Sequence, residues 1–395
     1  MRSKIFNSVL LALLSAIPCQ LMAQSISKKV MAKYVIAINN DNGSANLDTG
    51  YNNVYIFTLL PQGGIAISDL DNPIAALYND ESSVEDGGIE LVKNYSKTYP
   101  VKATDKLLID NLYGKITVNT WNRNEIKVEV QIKVAAKDQA DAKTLLNKVS
   151  INNNKAGSKV SFKTNIAKEG VWNFISGNNK NIYRRIEINY NIYMPTRNAL
   201  NISNQWGIIE LPDFEGKVVI NCSYTNLIAK SLSNTAEIHI NNGDAKIARL
   251  KMSDLNISYG NLSLGSADKL TAVVNFSSAK IGKINTSGII NMQYGTGLQI
   301  DDLDKNMTNL SVNSSFSNVN LGLNDTKNAN FNVTVRNGSF SYNNPAINMM
   351  PKNAADSTAN NGQWQPAQSY KGQVGKGSTT KIIKINSSYG SVKFN

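Results

Sequence analysis

The stretch YGNLSLGSADKLTAVVNFS, residues 259–277, decides the fold. It opens on Tyr259-Gly260, places apolar residues at Leu262 and Leu264 and again at Leu270, Ala272 and Val274, and closes on a second pair, Phe276-Ser277. The pair is an aromatic or Asn followed by Gly, Ser or Thr. It also occurs as Trp206-Gly207, Tyr224-Thr225, Asn242-Gly243, Tyr294-Gly295, Phe316-Ser317 and Asn337-Gly338. The eight copies are spaced by 18, 18, 17, 17, 18, 22 and 21 residues. A near-fixed period of this size means one supersecondary unit stacked many times.

Within each unit the apolar positions keep a fixed phase. They fall six, four and often two residues before the pair's first member, and three and five after it, as in Phe331, Val333, Val335, then Phe340 and Tyr342 around Asn337. Even offsets before and odd offsets after are incompatible with one straight strand, whose side chains alternate with period 2. The chain therefore bends at the pair and both arms point inward. Gly, Asn and Ser tolerate the dihedrals such a corner needs. In the Tyr294 copy, Leu298 and Ile300 come one place late, which predicts a bulge.

Strand, corner, shorter strand and return loop describe an all-β protein: a single-stranded parallel β-helix, or solenoid. Aliphatic side chains should fill its core, each fully buried one contributing about 1.5–3 kcal/mol before entropy is subtracted. Outward Asn, Ser and Thr can form ladders, and the corner aromatics should stack ring on ring.

Outward from this core, which occupies residues 199–344, the pattern weakens. Leu107 to Val118 is an early copy around Tyr113-Gly114, followed by an alternating strand through Ile126, Val128, Val130 and Ile132. One short helix is expected over about 136–148, with Ala140, Leu145 and Val149 on one face and Asp138 and Asp141 in its first turns. Strands follow at 159–164 and 185–194. Residues 24–97 read as an irregular, cap-like segment, with strands at 34–38 and 54–57. Pro345 to Gly377 lies inside a polar insertion of about 345–380, after which the repeat returns around Tyr389-Gly390. The expected organisation is thus a signal peptide at 1–23, the N-terminal segment at 24–97, first β units at 98–198, and the repeat body at 199–395.

The signal peptide reading rests on Arg2 and Lys4, the short apolar run Val9 to Ile17, and Ala23 before Gln24. That run is too short to span a bilayer, and no other stretch is long and apolar enough to cross as a helix. Pro18 before Cys19 argues against lipidation. Export to the periplasm or cell surface is therefore expected. After cleavage Cys222 is the sole cysteine, read as a small packed side chain. His239 is the sole histidine, between Ile238 and Ile240, and reads as an exposed strand residue. Most His-based metal and nucleophile systems are thereby excluded.

The 395-residue chain carries a net charge of +12, yet residues 25–100 hold five lysines and nine acids. The basic lean of the rest is scattered, with no run longer than Arg184-Arg185, so no nucleic-acid partner is expected. Asp41 to Asn46 lacks the Gly and Glu of a calcium loop and reads as a turn. Asp301, Asp302 and Asp304 form the densest acid cluster, in a turn composition. No catalytic residues, metal ligands or cofactor site are assigned. Among Trp121, Trp172, Trp206 and Trp364, the loop residues Trp172 and Trp364 are the better ligand-stacking candidates, and Arg336 is a candidate contact for an anionic sugar.

Three segments carry a family resemblance: Leu108 to Val118 with Trp121 and Asn124-Glu125-Ile126; Ile192-Tyr193-Met194-Pro195 with Leu200-Asn201-Ile202 and Trp206-Gly207; and Tyr370 to Gly377 with Tyr389-Gly390. Over roughly residues 97–395 the chain resembles exported bacterial β-helix proteins named "putative adhesins", a domain of unknown function common in Bacteroidetes. The resemblance implies a surface or periplasmic, non-catalytic role and supplies no functional residues to carry over. The expected function is binding of an envelope protein or glycan, or a structural role in the envelope. The alternative is a carbohydrate-active β-helix enzyme, lyase or hydrolase, acting on an acidic polysaccharide. An enzyme should gather acids with Arg or Lys beside Asp301 to Asp304; a binding protein should present a face of Asn, Ser and Thr.

Overall fold

The computed structural model describes residues 32–37, 54–59, 65–69, 88–167, 184–324, 326, 328–351 and 367–395, with side chains from residue 88 onward. The described chain is all-β with one helix. It divides into two compact units, one of Met1–Val92, Lys133–Val149 and Ile166–Ile186, the other of Lys93–Ile132, Ser150–Asn165 and Glu187–Asn395.

In the first unit, Ala32–Ala37, Val54–Leu59 and Ile65–Asp69 form a three-stranded antiparallel sheet. The first two strands match the expected ones. The third carries only Ile65 and Ile67 as strand-forming signal. The helix spans Gln139–Asn147, later than expected, because the strand Glu125–Ala136 runs through Ala136 and Asp138 caps the helix. The Asp138 carboxylate accepts the Asp141 N–H at 2.9 Å, satisfying a donor the helix leaves open. Its buried face is Ala142 and Leu145, leading on to Val149, while Ala140 is exposed.

Twenty strands form one large sheet. Its repeat body is parallel and in register: Ala199–Leu211 pairs with Val218–Asn241, then Ala245–Ser258, Asn261–Asn275 and Ser278–Gln293 follow in turn. Equivalent residues lie side by side: Leu262 between Ala245 and Ala279, and Val274 between Ile257 and Met292. The early copy, Lys106–Thr120, pairs parallel with Ala199–Leu211 although residues 121–198 intervene. In the Tyr294 copy the extra residue precedes Leu298, which regains register with Ala279 and Val319. Ile89–Pro100 is a strand where an irregular segment is expected; partly buried residues recur only at every fourth position, so no alternation announces it.

The late copy departs from chain order. Ile382–Ser388 lies between Asn309–Ser315 and Ala329–Arg336, parallel to both. Val392–Phe394 likewise lies between Val319–Leu321 and Phe340–Tyr342. The insertion also joins the sheet in part: Gln368–Val374 runs antiparallel to Ala329–Arg336, and Ile347–Met349 antiparallel to Gln368–Val374.

The corner has a single geometry. Tyr113, Trp206, Tyr224, Asn242, Tyr259, Phe276, Tyr294, Phe316, Asn337 and Tyr389 all hold φ between 50 and 59°. The first member of the pair, not the small second one, takes the left-handed conformation. For a non-glycine residue that costs about 1–2 kcal/mol. It also reverses parity: the aromatic shares the inward phase of the preceding arm, and the left-handed turn swings its ring outward. The ladder continues through the corner, with the N–H of Tyr259, Phe276 and Tyr294 donating to the carbonyls of Asn275, Gln293 and Ser315 at 2.9–3.1 Å. The second member is small because adjacent backbones converge there. A Cβ on Gly207 would stand 1.8 Å from the Gly114 carbonyl oxygen, and one on Gly260 2.0 Å from that of Gly243.

The core is aliphatic, with Leu107, Ile220, Leu250, Ile257, Ile281, Ile290 and Val312 sealed from solvent. Cys222 is buried and reduced, as a packed side chain should be. Burial pushes its thiol from 9.0 up to about 12. Tyr190, buried beside Thr164, is raised for the same reason.

Two outcomes follow from this packing. Gly207→Ala should lower the free energy of unfolding by about 2–4 kcal/mol, read from the urea midpoint, because a backbone collision cannot be relieved by a rotamer change. Stability should also fall as pH rises from about 9 to about 12: the unfolded thiol ionises first, so the unfolded state then binds fewer protons than the native one. Thermal scans across that window should show the fall, and Cys222→Ala should make it shallower.

Candidate functional site

The left-handed corner places the aromatic rings in a ladder along one edge of the repeat body. Tyr113, Trp206 and Tyr224 stack in sequence, and so do Tyr259, Phe276, Tyr294, Phe316 and Tyr389. Neighbouring centroids lie 4.6–5.7 Å apart and planes are within 11° of parallel. This follows from the in-register strands, whose spacing of about 4.8 Å sets the ring repeat. Tyr389 stacks on Phe316 because its strand is inserted there, so the ladder runs out of sequence order. The rings are not core residues: Tyr259, Phe276 and Tyr294 are 50–56% exposed. Tyr113 is more enclosed, and burial raises its hydroxyl above the ordinary 10.0.

Polar rows flank the ladder. On one side Ser223, Asn241 and Ser258 occupy the last position before the corner; on the other Asn226, Asp244 and Asn261 occupy the second position after it. The second row is hydrogen-bonded along its length. The Asp244 N–H donates to Asn226 Oδ1 at 2.8 Å, and Asp244 Oδ1 accepts from the Asn261 N–H at 2.7 Å and its Nδ2 at 3.0 Å. The expected amide ladder is also present, with Asn386 donating to Asn313 and Asn313 to Asn291, each at 2.9 Å.

Beside the first row lies a shallow groove of about 550 Å³, lined by Ser203, Gln205, Asn221, His239, Asn241 and Asn256 among others. Its floor includes the buried amides Asn111 and Asn204, joined at 3.1 Å; Asn204 reaches Thr225 at 3.3 Å and Thr164 donates to Asn111 at 2.8 Å. These amides are satisfied by one another and by backbone carbonyls such as that of Ile188. Most of its lining residues are polar, with Asp110 as the one acid and Leu112, Cys222 and Ile240 apolar among them, and His239 lies exposed within it as its strand position predicts.

The acid cluster does not converge. Asp301 lies 3.9 Å from Lys280 and accepts from Gln299 at 2.6 Å, Asp302 lies 3.3 Å from Lys283, and Asp304 accepts the Asn306 N–H in a turn. Each carboxylate is engaged with its own neighbours. Among the described residues no group of three His, Cys, Asp or Glu could hold a metal, and no helix is long and apolar enough to cross a membrane. Arg336 is exposed at the end of Ala329–Arg336, in register with Ser388 and next to the corner Asn337. Trp172, Trp364 and the Asp41 to Asn46 turn lie outside the described residues.

The exposed ladder and its polar flanks are what reasoning from sequence misses. The repeat shows that rings stack, but the aromatic's offset is that of an inward residue, and only its positive φ reveals the outward turn.

No protein-family model matches the chain. No curated protein matches it. Among solved structures it is similar to one named a putative adhesin from Bacteroides fragilis, at 10% identity and a TM-score of 0.33, covering 77% of this chain and 97% of that one. A structure named a putative lipid binding protein from Parabacteroides distasonis gives 10% identity, a TM-score of 0.36, and the same 77% and 97% coverage. A putative cell adhesion protein from Clostridium sporogenes gives 13% identity, a TM-score of 0.17, and coverage of 76% and 99%. Adhesin-named structures are thus among those this chain is similar to.

Proposed function

We propose that this chain is an exported, non-enzymatic β-solenoid that binds a glycan or protein of the cell envelope through its aromatic ladder and the polar rows beside it. The observation that carries this reading is the exposure of stacked rings between hydrogen-bonding rows. Core packing does not require aromatics there, since Asn242 and Asn337 build the same corner without a ring. Exposed, pre-ordered rings offer contact area at little entropic cost.

The solenoid reading is supported by the burial pattern. Outside the corner, pairs of consecutive outward residues separate inward ones, as Ala248-Arg249 and Lys251-Met252 do around Leu250. Each such pair reverses parity and marks another bend, so every repeat can return above its own start. Export is supported by residues 1–23, and the division at 97 and 198 is retained as the domain reading. Arg336, with Trp172 and Trp364, stands as a further ligand contact. The dispersal of Asp301, Asp302 and Asp304 into separate pairs favours binding over hydrolysis or elimination.

A retention assay tests this. The full chain is passed over immobilised envelope polysaccharide and envelope protein from the producing bacterium, and reducing ends are measured in parallel. Retention should fall at least tenfold in the triple variant Phe276→Ala, Tyr294→Ala, Phe316→Ala, with its circular dichroism unchanged. Asp301→Ala and Asp302→Ala should bind as the parent does. Steady release of reducing ends, abolished by either Asp substitution, would sink the proposal.

A further inference from the structure

The ring ladder is interrupted once between its first and last aromatic. Asn242 occupies the corner between Tyr224 and Tyr259: Gly243 packs on the Thr225 carbonyl on one side, and the Asn242 N–H donates to Ser258 on the other. Asn242 holds φ 58°, so the corner itself is intact. What is missing is a ring. Two strand spacings separate the flanking tyrosines, about 9–10 Å, whereas every stacked neighbour elsewhere in the ladder lies within 5.7 Å. Among the described residues no ring contact bridges Tyr224 and Tyr259, and both are exposed.

We infer that this gap is a binding slot for one neutral six-membered sugar ring, sandwiched between the faces of Tyr224 and Tyr259. The inference rests on the binding role proposed above and assigns its ligand class. Height and lining carry it together. The layer between the tyrosines holds only the short Asn242 side chain, and beyond it a pyranose lying parallel to the tyrosines presents its C–H faces to both rings. Its edge would meet hydrogen-bonding groups on each side: Asn241 and Ser258 before the corner, Asp244 and Asn261 after it. Asp244 is already oriented by Asn261, so its carboxylate is held in place before a ligand arrives. A purely apolar side chain from a partner would leave these groups without water or a replacement, which disfavours it. A polyhydroxylated ring satisfies them. The adjoining groove, with Asn221, His239 and Asn256, continues the same near-neutral polar lining and could hold the next sugar of a chain. An acidic sugar is disfavoured by Asp244 itself.

Filling the slot is the decisive test. Asn242→Tyr places a ring where the ladder lacks one, in a corner that carries tyrosine at five described copies, Tyr113, Tyr224, Tyr259, Tyr294 and Tyr389, with φ between 51 and 58°. Asn242→Gly keeps the corner and leaves the slot open. The full chain and both variants are assayed on an array of neutral oligosaccharides, and the strongest binder is titrated by calorimetry. Binding by the parent and by Asn242→Gly, with at least tenfold loss in Asn242→Tyr and an unfolding temperature no lower than the parent's, is the expected result. Equal glycan binding by Asn242→Tyr overturns the slot while leaving the ladder's binding role standing. No glycan binding by the parent, with envelope protein retained and that retention blocked by Asn242→Tyr, overturns the sugar assignment in favour of a protein side chain.

Discussion

One backbone conformation governs the molecule: a left-handed residue held at the same place in ten repeats. In isolation it is unfavourable for any side chain larger than glycine. Here it is stabilised by two things that exist only in the stack, the bond that the corner N–H donates to a carbonyl of the neighbouring strand and the contact of each ring with those beside it. A single repeat has neither. The corner therefore makes the repeats dependent on one another, and it dictates the small residue that follows, since neighbouring backbones close to within contact of where a Cβ would be.

The same conformation creates the surface. By reversing parity it removes from the core a ring whose sequence position matches the inward residues, and lines it up with its equivalents along an edge. Fold and candidate site are thus not separate solutions. Where the stack needs only the corner, Asn suffices; where it carries an aromatic, the ring adds contact area facing solvent.

Much of this is legible in the chain itself, and the boundary of legibility has physical causes. The period and the parity change between Val274 and Ala279 reveal a bend, because alternation is a property of any strand. Burial of Cys222 and exposure of His239 follow from the same alternation. Which member of the pair takes the unusual dihedral is not legible: glycine is the usual occupant, and the aromatic is tolerated only because of tertiary support. The strand Ile89–Pro100 escapes because its exposed residues far outnumber its covered ones, so it carries no hydrophobic rhythm. The helix face shifts because capping by Asp138, a single side-chain contact, sets the start of the turn. The polar rows and the groove escape because Asn and Ser at outward positions look alike whether they meet water or a ligand.

The place of Ile382–Ser388 between Asn309–Ser315 and Ala329–Arg336 has a consequence for biosynthesis. Two strands made earlier on the ribosome are not neighbours in the finished sheet; each keeps one edge for a segment translated some fifty residues after the second of them begins. Until it threads in, those edges are templates for pairing with other nascent chains.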